Sequence, residues 1–236
     1  MAFYKSLAPF YDEIFPVNET ACSFLLSYFE QADAVLDVGA GTGNMAVALT
    51  ERGLQVIAAE PDETMADYIG QKAAKNNVSV PVHIKSMLEI NQIQDKVEGI
   101  YCIGNTVPHL QNQEELKLFI QKCYDSLKSD ERFILQLVNY EKVLASVEEF
   151  SFPVIQKDSL IFKRVYEKVD DKIMFTTHLT VNDDTFSNSI PLIPVTAQLL
   201  LPVLEEIGFT VEQVYGNFAR QEYSKHSPAL VVVARK

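Results

Sequence analysis

Basic residues and cysteine are both scarce in this 236-residue chain, and each scarcity removes a class of function. Lysine and arginine number 20 against 32 acidic residues, a formal net charge of −12. Binding a phosphate backbone calls for clustered Lys and Arg. The nearest approach to a cluster, Lys163, Arg164 and Lys168, is interrupted by Glu167 and followed by Asp170 and Asp171. Nucleic acid is therefore not the expected partner. The three cysteines, Cys22, Cys102 and Cys123, are odd in number and form no C-x-x-C pair. That argues against a disulfide framework and a thiolate zinc site. The four histidines, His83, His109, His178 and His226, lack metal-ligand spacing, so no metal is expected. Long apolar runs are missing too. The longest, such as Ala229 to Ala234, are strand-sized, whereas a bilayer span needs about 20 residues. The N-terminus has neither the basic start nor the apolar stretch of a signal peptide. These absences fit a cytoplasmic monomer or homodimer with no membrane partner.

What is present is apolar material, 47% of the residues, enough for one large core or a core with a small appendage. Apolar runs alternate with helical patterns. Ala34 to Val38 runs into Gly39-Ala40-Gly41-Thr42-Gly43, and a helix pattern follows with Met45, Val47, Ala48 and Leu49. Further strands read at 54–59, 80–84, 97–103 and 132–138. Asp62 is placed to cap one intervening helix, and Asn112 with Glu115 forms a capping box for another over 113–128. Continuous apolar strands with helical crossovers predict a parallel sheet covered on both faces. From Pro153 the pattern changes. Ile161 to Tyr166 and Ile173 to Leu179, flanking Val169-Asp170-Asp171-Lys172, predict an antiparallel hairpin. A helix from Thr196 to Ile207, which Pro202 should kink or shorten, leads into two closing strands. The expected architecture is one α/β domain over 1–236, a doubly wound, mostly parallel, seven-stranded sheet. An antiparallel β insertion over 151–195 follows the fifth strand, and a helical arm occupies 1–30.

The glycine loop after the first strand points to a nucleotide-like ligand. Its spacing, Gly39, Gly41, Gly43, brings the third glycine one residue earlier than a dinucleotide fingerprint does. The acidic Asp37 two residues before Gly39 would be awkward beside a pyrophosphate but suits a ligand with an amino group and no phosphates. Glu60 ends the second strand, where a carboxylate can accept two hydrogen bonds from a ribose cis-diol.

The stretch Val35-Leu36-Asp37-Val38-Gly39-Ala40-Gly41-Thr42-Gly43 resembles the first motif of class I S-adenosylmethionine-dependent methyltransferases. Gly104-Asn105-Thr106-Val107-Pro108-His109-Leu110 resembles a segment of small-molecule members akin to glycine and sarcosine N-methyltransferases. Phe3 to Asp12 and the tail from Leu199 follow the same pattern. The resemblance implies S-adenosylmethionine as cofactor, held by Asp37, Gly39, Ala40 and Gly41, with Glu60 on the ribose and Pro61 on the adenine. Ser86 stands where the family usually has an acid that accepts from the adenine amino group, with the Met87 N–H beside it. Ile103 would hold the methionine amino group, and Tyr4 and Tyr11 would cover the cofactor. Asn105, Asn139 and Arg164 are the candidate acceptor contacts; Arg164 either grips an acceptor carboxylate or faces Glu or Asp across its strand. His109 and Tyr140 are the candidate bases. The implied partner is a small-molecule acceptor of methyl on N or O. Two rival readings remain: a protein that binds the cofactor without transferring methyl, and a nicotinamide oxidoreductase, which the glycine spacing disfavours.

Overall fold

The computed structural model describes residues 7–93, 96–146 and 149–236. The chain opens with a helical turn, α1 (Tyr11–Ile14), and a helix, α2 (Glu19–Phe29). Asn18 starts α2 by accepting the Ala21 N–H at 3.1 Å, the usual N-cap bond. Strand and helix then alternate as β1 (Val35–Val38), α3 (Asn44–Glu51), β2 (Val56–Ala59), α4 (Glu63–Lys75), β3 (Val82–His83), β4 (Val97–Cys102), α5 (Gln113–Ser126) and β5 (Leu127–Val138). After the short helix α6 (Tyr140–Leu144) come five strands: β6 (Glu149–Ser151), β7 (Ile155–Gln156), β8 (Leu160–Val169), β9 (Lys172–Val181) and β10 (Asp184–Leu192). The helix α7 (Ala197–Ile207) and strands β11 (Thr210–Tyr215) and β12 (Ala229–Arg235) finish the chain. Among the described residues no helix is long and apolar enough to cross a membrane.

The main sheet has seven strands in the order β11-β12-β5-β4-β1-β2-β3. Strands β1 to β5 pair in parallel, while β12 runs antiparallel to both β5 and β11. Apolar side chains fill both faces. One buried cluster joins α5 and α7 to the sheet through Leu116, Phe119, Leu200 and Leu204. Another joins α2 and α3 through Phe24, Phe29, Val47 and Leu49. The strand order reverses between β1 and β4, and a crevice opens at their carboxyl ends.

The strands after β6 form a second, antiparallel sheet, β10-β9-β8-β6, with β7 also pairing to β8. The expected hairpin is β8 and β9, in register from Leu160 opposite Val181 to Val169 opposite Lys172. A third strand, β10, was not expected. Its Asp, Asn, Ser and Pro content gives it little strand propensity. The signal was in the turn: Asn182 and Asp183 both take positive φ, 50° and 71°, as a tight right-twisted hairpin requires. Leu7 and Ile14 pack with Leu160, Phe162 and Leu179, so the arm and the second sheet share a core.

Two further differences have local causes. β3 is two residues long because Pro81 has no N–H to give a ladder. The helix α7 passes through Pro202 without stopping. The carbonyl that Pro202 leaves without its helical donor belongs to Gln198, an exposed residue at the start of the helix.

Gly99 lies opposite Val35 where α2 crosses the sheet. A Cβ there would sit 2.6 Å from the Phe29 ring and 3.2 Å from Val35 Cγ2. Gly99→Ala should therefore destabilise the protein by about 1–3 kcal/mol through overpacking. Adding Phe29→Leu should recover part of that loss, and thermal unfolding of the single and double variants checks both.

Candidate active site

The loop between β1 and α3 turns sharply and is pinned from three sides. Gly39 has φ +75°, and a Cβ there would lie 2.3 Å from Thr106 Cγ2 of the loop after β4. The N–H groups of Gly39 and Ala40 both donate to the Ala59 carbonyl, at 2.8 and 3.1 Å. The N–H of Gly41 donates to Glu60 Oε2 at 2.8 Å, and that of Asp62 to Glu60 Oε1 at 3.0 Å. Each carboxylate oxygen keeps a further lone pair for a ligand. Burial pushes the Glu60 carboxyl up to about 6, against the pull of those two backbone bonds. From the other side comes the arm. Asp12 accepts from Thr42 Oγ1 at 2.5 Å and pairs with Lys72 at 2.7 Å, and Asn44 donates to the Phe15 carbonyl at 2.7 Å. Tyr11 thereby lies over Gly41, 3.5 Å from where its Cβ would be. Burial, then the charges of Glu60, Asp12 and Asp37, push its phenol up to about 12.

The crevice is a cleft of about 210 Å³. Tyr11, Gly39, Gly41, Glu60, Pro61, Ser86, Met87 and Ile103, all candidate cofactor contacts from the sequence, line it together. Ser86 donates from Oγ to Glu89 at 2.6 Å, which leaves its lone pairs available. Two expected residues do not line it. Asp37 is buried within β1 opposite Tyr101 of β4. Burial raises its carboxyl to about 7, the Tyr101 hydroxyl opposing and the Glu60 charge adding. Ala40 is occupied by the Ala59 carbonyl behind the loop. The cleft also takes in Met65, Leu88 and Glu115, which sequence reasoning missed. Glu115 was visible only as a capping residue, since its facing depends on how α5 lies on the sheet.

A second cavity of about 420 Å³ adjoins the first, and Tyr11, Gly104 and His109 line both. Its far wall comes from the second sheet: Phe162, Arg164, Tyr166, Phe175 and Thr177. His109 sits at the junction, and burial lowers its imidazole to about 4, so it is neutral at physiological pH. Asn105 is a cross-brace. Its Nδ2 donates to Tyr166 Oη at 2.9 Å and Tyr140 Oη at 3.2 Å, and its Oδ1 accepts from the Val138 N–H at 3.0 Å. Arg164 lies over the rings of Phe152 (4.6 Å), Phe15 (5.5 Å) and Phe162 (5.9 Å). It meets no carboxylate among the described residues.

Two expected residues stand behind these walls. Tyr140, a candidate base, is 1% exposed and lines neither cavity. Burial holds its phenol well above 10, so it stays protonated. Asn139, a candidate acceptor contact, is equally buried. It donates to the carbonyls of Ser224 and Ser227 and accepts from Tyr223 Oη at 2.9 Å, clamping the segment before β12. Tyr4 lies outside the described residues.

The chemistry of the cleft selects among adenosine ligands. Glu60, Asp62 and Glu115 line it, with no Lys or Arg among the described lining residues. A pyrophosphate would find no cation to neutralise it, whereas a sulfonium or ammonium group suits the site. The fold is Rossmann-like α/β, with this cleft at its strand-order reversal. The methyltransferase-domain family model matches residues 35–130, from β1 into β5. A glycine/sarcosine N-methyltransferase from Aphanothece halophytica is 24% identical over 207 residues, 87% of this chain and 77% of that one. A solved S-adenosylmethionine-dependent methyltransferase from Clostridium acetobutylicum superposes with a TM-score of 0.85 at 16% identity, covering 98% of both chains. The CcbJ methyltransferase from Streptomyces caelestis does so with a TM-score of 0.80 at 20% identity, over 92% of this chain and 93% of that one. Residues 35–130 thus carry a methyltransferase domain, and these likenesses support a methyltransferase that depends on S-adenosylmethionine.

The two raised carboxyls, Asp37 at about 7 and Glu60 at about 6, make stability depend on pH in a defined direction. Both sit above their unfolded values, so folding favours the protonated forms. That stabilisation is present in full below the unfolded carboxylate range and is lost as pH rises to about 7. Asp37→Asn should raise the melting temperature of the ligand-free protein at pH 8 and gain nothing at pH 5. A gain of equal size at both would refute the buried, raised carboxyl.

Proposed function

We propose that this methyltransferase transfers its methyl group to the nitrogen of a small molecule seated in the second cavity. The observation that carries the proposal is the junction: the two cavities meet at Tyr11, Gly104 and His109. An acceptor in one thus abuts a cofactor in the other. The glycine/sarcosine N-methyltransferase from Aphanothece halophytica supports nitrogen as the acceptor atom.

Bound in the cleft, S-adenosylmethionine supplies a methyl group already activated by a positively charged sulfur. The protein's remaining task is alignment in a site shielded from water. We assign Glu60 to the ribose diol, Pro61 to the adenine face and Ser86 with the Met87 N–H to the adenine edge. The carbonyl region of Ile103 takes the methionine amino group. Tyr11 closes the cleft from the arm, and its ring face attracts the sulfonium. The second sheet roofs the acceptor cavity. His109 acts as a neutral imidazole that accepts a hydrogen bond from the acceptor nitrogen and aims its lone pair. At about 4, its basicity is too low to strip an ammonium, so the amine arrives unprotonated.

Two outcomes follow. Glu60→Ala should weaken S-adenosylhomocysteine binding by more than about 1 kcal/mol, the cost of losing charge-assisted hydrogen bonds. Glu60→Gln, which keeps one acceptor oxygen, should lose less; unchanged calorimetric affinity for both would remove Glu60 from the ribose. His109→Ala should lower kcat about tenfold through one lost orienting bond. Its pH–rate profile should keep the wild-type shape, because the ring stays a neutral imidazole above about pH 4; a profile that loses a limb would instead make His109 a titrating base.

A further inference from the structure

The second cavity is electrostatically the opposite of the cleft beside it. Arg164 is its only cationic lining residue with His109 neutral, and no Asp or Glu lines it among the described residues. Six rings also face it: Tyr11, Phe15, Phe152, Phe162, Tyr166 and Phe175. The guanidinium rests on three of them, and its Nε is buried without a hydrogen-bond partner. Stacking on rings satisfies the faces of a guanidinium but not the N–H groups at its edge. A buried donor of this kind is costly to leave unmade, and a planar carboxylate is the group whose two oxygens match that edge. A protonated amine without a carboxylate would meet Arg164 and no counter-charge. The volume, about 420 Å³, is far more than glycine fills.

From this we infer that the methyl acceptor is an amphipathic carboxylate, its anionic end on Arg164 and an aromatic or bulky apolar body among the phenylalanine rings. Its nitrogen lies toward Gly104 and His109. The inference rests on the proposed reading of the second cavity as the acceptor site, and narrows the acceptor by charge and shape. It separates this chain's acceptor from glycine, which carries the carboxylate without the apolar body.

The test uses the full chain saturated with S-adenosylhomocysteine, titrated by calorimetry with 3-phenylpropionate, phenethylamine and glycine. The acid should bind at least about tenfold more tightly than either comparison compound, the scale of one charge-assisted pair with its apolar partner surface. Arg164→Gln should lose that advantage while still binding S-adenosylhomocysteine, which shows that the variant is folded, and Arg164→Lys should recover only part of it. Phenethylamine or glycine binding as tightly as the acid overturns the assignment, as does acid binding unaffected in Arg164→Gln, or no acid binding by the loaded protein. A parallel methylation assay with phenylalanine, phenethylamine and glycine separates the two levels of the argument. Methylation of phenethylamine or glycine in preference to phenylalanine leaves the small-molecule reading standing and ends the carboxylate one. No methylation of any of the three, with the acid not bound, counts against both.

Discussion

One buried carboxylate holds the cofactor end of the molecule together. Glu60 receives the N–H of Gly41 from the loop after β1 and the N–H of Asp62 from the start of α4. Glu60 is 7% exposed, and without it these two backbone donors would lose their acceptor. Keeping an ion in that setting is unfavourable, which is why its carboxyl is raised. Asp37, one strand away and deeper, is raised further and feels the Glu60 charge. The ligand-free site thus holds negative charge at a cost, and a ligand with a sulfonium and an ammonium offsets it. Stability without cofactor and affinity for a cation are two sides of the same strain.

The remaining geometry follows from keeping that carboxylate in place. The strand order reverses beside β1, so the loops after β1 and β4 diverge and leave space. Thr106 fills the spot left by the missing Gly39 side chain, which brings the β4 loop against the glycine loop. Asn105, at φ +68°, then ties that loop to β5 through Val138 and to the second sheet through Tyr166. On the opposite side Asp12 joins the arm to Thr42 and Lys72. The glycine loop is therefore braced by the arm, by β2 and by the wall of the neighbouring cavity.

Most of the fold and the cleft were legible because their signals are local. Glycine spacing, an acid at a strand end and N-caps at Asp62, Asn112 and Thr196 depend on neighbours within a few residues. What was illegible depends on orientation across the sheet. A strand residue points to a cleft or to the interior according to the sheet's twist and its partner strand, and sequence distance carries neither. Asp37 therefore read as a ligand contact although it lies against Tyr101. Asn139 and Tyr140, one step past β5, read as an acceptor contact and a base although the chain turns there into α6 and buries both. Arg164 was the converse: a strand arginine with acids nearby in sequence, whose structural neighbours are rings.

The two cavities sort their occupants by charge before any shape is tested. The cleft is lined by carboxylates with no cation among its described lining residues, and the cavity behind it by one cation with no carboxylate. A positively charged sulfonium nucleoside is drawn to the first and repelled by the second; an anionic acceptor has the reverse preference. The occupants can meet only at Tyr11, Gly104 and His109, and there the structure places a phenol held at about 12, a glycine and an imidazole held at about 4. None carries charge at neutral pH. A junction without charge adds no protein ion to the field between the occupants of the two cavities.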